Sequence, residues 1–200
     1  MAESPDVIRQ KADLRRQAYA ARREQLEPDV VSRKAIEQLL RLPQYMQAGS
    51  ALWYVDCRTE LKTQWCLPTE LESDRAIYVP YCTTHEGRPN LGLWRLECLS
   101  ELVVGKWKIL EPPKDQWLDS DRVIEPAQLD VVIVPGVGFS PDGRRLGNGQ
   151  GYYDRLLAAV GSSCSLIGLC YQCQIFPEFP VELHDVRMDF VVTEQQVYRA

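Results

Sequence analysis

Residues 130–160 read DVVIVPGVGFSPDGRRLGNGQGYYDRLLAAV, and the pattern changes twice inside that stretch. The first part, DVVIVPGVGF (130–139), is apolar and β-branched with no polar alternation, as in a strand buried on both faces. The last part, GYYDRLLAAV (151–160), sets Leu156, Leu157 and Val160 at helical spacing. Between them fall Gly143, Gly147, Gly149 and Gly151. A strand, a glycine-rich loop and a helix start make a recurrent anion cradle, because bare N–H groups can approach phosphate oxygens and the helix dipole favours negative charge. Arg144 and Arg145 at the loop entrance add charge-assisted donors. The loop lacks the Lys-Ser/Thr of the P-loop and the final spacing of the dinucleotide fingerprint. On spacing alone, a flexible turn at a sheet edge remains open. Asp154, one helical step further, suits either a magnesium ion shared with phosphates or a plain first-turn aspartate.

Working outward, ALWYV (51–55), AIYVPY (76–81), SLIGLCY (165–171) and DFVVT (189–193) are further short apolar runs. Helix-like stretches lie at 62–73 and 150–160, so strand and helix alternate as in an α/β layered fold with a mostly parallel central sheet flanked by helices. An N-terminal helical pair precedes it. Ser4-Pro5 caps the first helix, with Ile8, Ala12 and Tyr19 as its apolar stripe and Lys11, Arg15 and Arg22 on a common basic face. The second runs from Pro28 towards Pro43, with Val30, Ile36, Leu39 and Leu40 inward. Residues 83–128 are irregular, with a hairpin around NLGLWRL (90–96). The absence of repeats or linkers gives a single domain over 1–200.

Bulk properties narrow the function. Seven cysteines, an odd number without framework spacing, fit reduced thiols in the cytoplasm rather than disulfides. A net charge of −5 argues against nucleic acid as a partner. No apolar run reaches the roughly 20 residues of a membrane span, and the polar N-terminus lacks a secretory core. Cys170 and Cys173, despite their CxxC spacing, read as structural cysteines, as do His85 and His184 as non-catalytic histidines. Trp53 and Tyr54 read as core.

The stretch VPGVGFSPDGRRLGNGQGYYDRLL resembles the signature of the 5-formyltetrahydrofolate cyclo-ligase family, also called 5,10-methenyltetrahydrofolate synthetases. KADLR (11–15), DCRTELKT (56–63), WKILEP (107–112) and the tail from 168 to 194 resemble the family in the same order. That resemblance implies ATP- and magnesium-dependent closure of 5-formyltetrahydrofolate to the 5,10-methenyl form by a monomer. It implies that Lys11, Arg15 and the loop Arg145, Leu146, Gly147, Asn148, Gly149, Gln150, Gly151, Tyr152 and Tyr153 hold ATP. Arg145 and Lys11 would stabilise the transferring phosphoryl group. Asp154 and Asp189 would be the magnesium ligands. Val55, Glu60, Trp107, Tyr152 and Tyr153 would line the folate slot, with Glu60 accepting from pterin N–H groups. Asn148, Gln150 and Ser140 depart from residues common in relatives, where Arg or Lys and Asp stand. A non-catalytic nucleotide- or folate-binding module of the same fold is the alternative. A second rival is a relative of sugar-phosphate isomerases or acyl-CoA transferases, with Glu60 as the carboxylate to test.

Overall fold

The computed structural model describes residues 4–117, 119, 121–178 and 186–200; His184 lies outside them. In chain order the helices are α1 (Pro5–Arg23), α2 (Pro28–Leu40), α3 (Pro43–Met46), α4 (Leu67–Glu70) and α5 (Tyr152–Ala159). The strands are β1 (Ser50–Leu52), β2 (Ala76–His85), β3 (Arg88–Arg95), β4 (Val103–Val104), β5 (Leu110–Glu111), β6 (Val131–Val134), β7 (Gly138–Phe139), β8 (Arg145–Leu146), β9 (Ser165–Leu169), β10 (Phe190–Val192) and β11 (Val197–Arg199).

Seven strands form one sheet in the order β11-β10-β9-β6-β1-β2-β3. The five inner strands are parallel, and β3 and β11 pair antiparallel at the two edges. The mostly parallel α/β architecture read from the sequence is therefore present. Both faces are covered. Val131 and Ile133 of β6 pack with Ile36 and Leu39 of α2, while Val132 and Val134 pack with Leu156 and Leu157 of α5. Coverage on both sides explains why the run has no polar alternation.

The chain leaves β1 towards β2 on one side, and leaves β6 towards β9 and β10 on the other. The direction of winding thus reverses between β1 and β6, and in open α/β sheets ligands sit at such a reversal, beyond the carboxyl ends of the strands.

Several local expectations are corrected. The run 130–139 is two strands, since Pro135-Gly136 ends β6 and β7 instead pairs with β8 in a hairpin of its own. The helix expected over 62–73 contracts to the single turn α4, and the hairpin expected around 90–96 is longer, pairing Tyr78–His85 with Arg88–Arg95. In α1, Ser4 does cap the helix by accepting from the Val7 N–H at 3.3 Å. Yet Ile8 and Ala12 are exposed, and the buried face is Lys11, Ala18 and Arg22. Val30 of α2 is likewise exposed. The reason is what α1 packs against: not the apolar core but β7 and the one-turn segment Gln172–Gln174. All seven cysteines are free. No helix among the described residues is long and apolar enough to cross a membrane.

Gly168 in β9 packs closely in the core, where an added Cβ would stand 2.5 Å from the Phe139 ring. Phe139 is fully buried. Gly168→Ala should therefore cost about 1–3 kcal/mol through overpacking, read as a lower urea midpoint. An unchanged midpoint would show that Phe139 can move aside.

Candidate active site

A cavity of about 450 Å³ opens beyond the carboxyl ends of β1 and β6. One wall is the continuation of β1, where Tyr54 and Val55 lead into a turn bearing Glu60. The opposite wall is the glycine loop from Gly147 to the start of α5. Trp107 stands at the mouth.

The glycine loop is held from two sides. Arg15 Nε donates to the Gly147 carbonyl at 2.9 Å, and the Tyr19 hydroxyl donates to Asn148 Oδ1. From α5, Arg155 donates to the Gln150 carbonyl at 2.9 Å. Gly149 and Gly151 have φ of +81° and +70°, the left-handed region where a side chain is strained. Gly151 is also the N-cap of α5, and no side chain caps its first N–H groups. Those donors face the cavity end of the helix, where an anion is favoured.

Arg145, with a side chain only 7% exposed, pairs with the Asp154 carboxylate and donates to the Pro135 carbonyl at 3.3 Å. The guanidinium also lies 5.7 Å from the centre of the Tyr153 ring. The Tyr153 hydroxyl is buried with no hydrogen-bond partner among the described residues. Such a group costs about 1–3 kcal/mol, which a bound polar ligand can relieve.

Glu60 accepts from the Cys57 N–H at 3.0 Å, and its own carbonyl accepts from the Tyr171 hydroxyl at 3.3 Å. Burial pushes its carboxyl above the usual glutamate range; the Arg22 charge and the Cys57 hydrogen bonds oppose this without cancelling it. Burial, followed by the negative charge of Glu60, also raises the Cys57 thiol to about 12, so it is no nucleophile near neutral pH.

Trp107 is carried by the β4–β5 hairpin in an uncommon backbone conformation. Trp107 and Lys108 have φ of +56° and +64° in succession. The ring meets Tyr152 edge-on with centroids 5.6 Å apart, and Lys106 Nζ donates to the Tyr152 hydroxyl at 2.9 Å. Glu111, 2% exposed, pins the hairpin by accepting from the Cys82 N–H at 3.1 Å and the Lys106 N–H at 3.3 Å.

Of the residues singled out in the sequence, Val55, Glu60, Trp107, Arg145, Gly147 to Tyr153 and Asp154 surround this one cavity. Leu146 is buried at the end of β8, and Arg15 touches the loop from behind. Lys11 is buried one turn earlier on α1 and is not part of the lining. Asp189 does not join Asp154. It sits at the amino end of β10, where its carboxylate accepts from the Leu166 N–H at 2.7 Å, and the cavity opens at the other end of those strands. The described residues contain no cluster of three or more metal-ligating side chains. Cys170 is buried and Cys173 exposed. Tyr54 is core, as read, and it lines the cavity as well. Glu111, Lys106 and Cys82 were missed, and Arg22 was legible only as part of the basic face of α1. Of the three missed, only Glu111 had a signal, as the acidic residue of the quoted WKILEP segment.

A family profile described as the 5-formyltetrahydrofolate cyclo-ligase family matches residues 7–194. The chain belongs to the 5-formyltetrahydrofolate cyclo-ligase family. It is 30% identical over 169 residues to the 5-formyltetrahydrofolate cyclo-ligase of Escherichia coli (strain K12), covering 84% of this chain and 90% of that protein. A probable cyclo-ligase of Schizosaccharomyces pombe is 26% identical over 176 residues, 82% of this chain and 83% of that one. Among solved structures, the 5,10-methenyltetrahydrofolate synthetase of Aquifex aeolicus superposes with a TM-score of 0.79 at 30% identity. That match spans 94% of this chain and 92% of the other. The cyclo-ligase family signature thus corresponds, in this fold, to the strand β6, the β7–β8 hairpin, the glycine loop and α5.

A carboxyl whose folded pKa lies above its unfolded one stabilises the fold only below the ordinary glutamate value. That contribution is lost as pH rises through the folded pKa. Ionised Glu60 therefore costs stability at neutral pH. Glu60→Gln should raise Tm there, each 1 kcal/mol being worth about 2–4 °C in a chain of this size, and the gain should vanish below about pH 4. A thermal melt series from pH 4 to 8 reads this; a lower Tm for the variant at pH 7.5 would refute the desolvation of Glu60.

Proposed function

We propose that the chain converts 5-formyltetrahydrofolate to 5,10-methenyltetrahydrofolate with ATP and magnesium, releasing ADP and phosphate. The observation that carries this reading is the cavity in which a phosphate-type glycine loop faces an apolar slot floored by the half-buried Glu60 carboxylate. Family membership supports the same reaction.

The chemistry asks for position and charge rather than for a nucleophile on the enzyme. A formyl oxygen is a poor leaving group until it takes the γ-phosphoryl of ATP, with ADP departing. N10 of the same molecule then attacks the activated carbon, the oxygen leaves as phosphate and the N10 proton is released. Because N10 is already tethered, holding it close to that carbon supplies a large effective concentration.

The residues take their parts from where they stand. Val55, Tyr153 and Trp107 would enclose the flat pterin, and Glu60 would accept from its amino and ring N–H groups. The Tyr153 hydroxyl would find its missing partner on the ligand. The N–H groups from Gly147 to Tyr153 would meet the phosphates, with Arg15 bracing the loop. Arg145 would turn from Asp154 to the transferring phosphoryl group. Lys11 adds positive charge from the buried face of α1, at one remove from the lining.

Magnesium, when bound, neutralises phosphate charge, and it takes most of its ligands from phosphate and water with only one or two carboxylates. The residues present fit that limited demand: Asp154 would supply the carboxylate from the cavity wall. Asp189 is not assigned to the same ion. We read the chain as one functional unit acting as a monomer, and as cytoplasmic on its odd set of seven cysteines without framework spacing.

In the assay, 5-formyltetrahydrofolate, ATP and magnesium are mixed with the protein and the near-ultraviolet absorbance of the methenyl product is followed. Turnover should require ATP and magnesium, and Arg145→Gln should lower kcat by about 10²–10³. Asp154→Asn should raise the magnesium requirement. Binding of ATP and folate by calorimetry without any turnover would instead support the non-catalytic module. Turnover indifferent to a chelator would remove magnesium from the scheme.

A further inference from the structure

The roles above leave one buried cation unused. Arg22, in the last turn of α1, is 6% exposed. Its Nε donates to the Thr59 carbonyl at 3.1 Å, and its guanidinium lies 5.6 Å from the centre of the Tyr19 ring. Among the described residues no carboxylate lies within ion-pair distance of it. A buried guanidinium with a single anchored nitrogen keeps four donor hydrogens for something else.

Those donors border a second cavity of about 340 Å³ beside the first. The two cavities share Cys57, Arg58, Glu60 and Asn148 as walls. The Glu60 side chain therefore stands between the folate slot on one side and Arg22 on the other. The anchor matters too, because Thr59 is the residue immediately before Glu60. Arg22 grips the backbone of the turn and faces the carboxylate that the turn presents.

We propose that Arg22 is a positioning residue for Glu60, a buried counter-charge that keeps this carboxylate ionised and turned into the folate slot. The inference rests on the reading of Glu60 as the group that recognises the pterin.

The surroundings of Glu60 support it. Burial disfavours the ionised form, and Asp56 on the same turn adds repulsion. Arg22 gives the strongest opposing effect, ahead of the Cys57 hydrogen bonds. From the other elements, Tyr54 at the end of β1 and Tyr153 of α5 both face Glu60, each holding its proton well above neutral pH. The Tyr171 hydroxyl reaches only the Glu60 carbonyl. Arg23 and Arg58 border the second cavity too, but they are exposed to solvent, where their charge is screened. Arg22 is the one arginine there that the protein shields from water.

The test compares Arg22→Gln and Arg22→Lys with the wild type across pH. Arg22→Gln should raise the KM for 5-formyltetrahydrofolate about tenfold at neutral pH, the size of one lost charge-assisted contact. The KM for ATP should stay within about twofold. The acid limb of kcat/KM for the folate should move to higher pH, and Arg22→Lys should bring it part of the way back. In a Glu60→Gln background, Arg22→Gln should add no further folate-specific loss, because the two act as a unit. An unmoved acid limb, or equal loss for both substrates, would overturn the proposal and leave Arg22 as a brace for α1. Carbon NMR titration of the Glu60 carboxyl gives a second readout free of activity. If the wild type shows no turnover, the reading of the site fails, but a Glu60 pKa that rises in Arg22→Gln still upholds the pairing. A Glu60 pKa unchanged in that folded variant would sink it.

Discussion

Val131 to Val134 leave no face of β6 to solvent, and most of the site follows from that burial. A strand covered on both faces must hand the chain on at its end, and Pro135-Gly136 does so at the same edge where β1 delivers Tyr54 and Val55. The loop cannot turn straight into a helix, because Phe139 is needed inside against Gly168 and beneath α5. Hence the short β7–β8 hairpin, which first buries Phe139 and then returns Arg145 to the cavity. Arg145 ends up bonded to the Pro135 carbonyl it left ten residues earlier. The phosphate-type loop is held at its root by that closure rather than by the glycines, whose part is to keep the backbone bare and to allow φ above zero.

The N-terminal helix reverses the usual logic of burial. An amphipathic helix normally turns its apolar stripe inward; α1 turns Lys11, Arg15 and Arg22 inward instead, and leaves Ile8 exposed. Its neighbours are polar backbone: the Gly147 carbonyl, the Asn148 side chain and the Thr59 carbonyl. Burying cations there is tolerable because each guanidinium finds carbonyl oxygen, and because a site meant for anions gains from charge held behind it. The helix therefore contributes more to the electrostatics of the cavity than to the hydrophobic core.

This contrast also marks what the sequence could reveal. The inner strands were legible because burial on both faces leaves an unbroken apolar run. The glycine loop was legible because few other roles need four glycines in nine residues. The common face of Lys11, Arg15 and Arg22 could be read from spacing, but not that it would be the buried face, since periodicity reports a face and not its partner. Trp107 could be named only through resemblance; its left-handed backbone, shared with Lys108, has no glycine or asparagine to announce it. Glu111 acts through backbone N–H groups, and only its place in the WKILEP segment marks it in the sequence. Asp189 could not be placed in the fold for a related reason. A carboxylate before an apolar strand looks the same at either end of a sheet, and only the parallel register of β9 and β10 puts it away from Asp154.

The ligand-free arrangement bears on how a site rich in opposite charges avoids collapse. Arg145 and Asp154 neutralise one another in an ion pair, and Arg22 opposes from across a turn the cost of burying the Glu60 carboxylate. Separating Arg145 from Asp154 without a ligand would leave a guanidinium that is 7% exposed without its counter-ion, which is costly in a partly dry cavity. In the proposed reaction a nucleotide would remove that cost, its phosphate oxygens replacing the carboxylate on Arg145 and freeing Asp154 for a cation. On the same reading no such exchange would be open to Glu60, whose counter-charge would lie behind it and not in the folate slot. The two pairs thus differ in kind. On the proposed reading the first would open when ATP arrives, while Arg22, at longer range than an ion pair, would hold its charge behind Glu60 as the pterin docks on the other side.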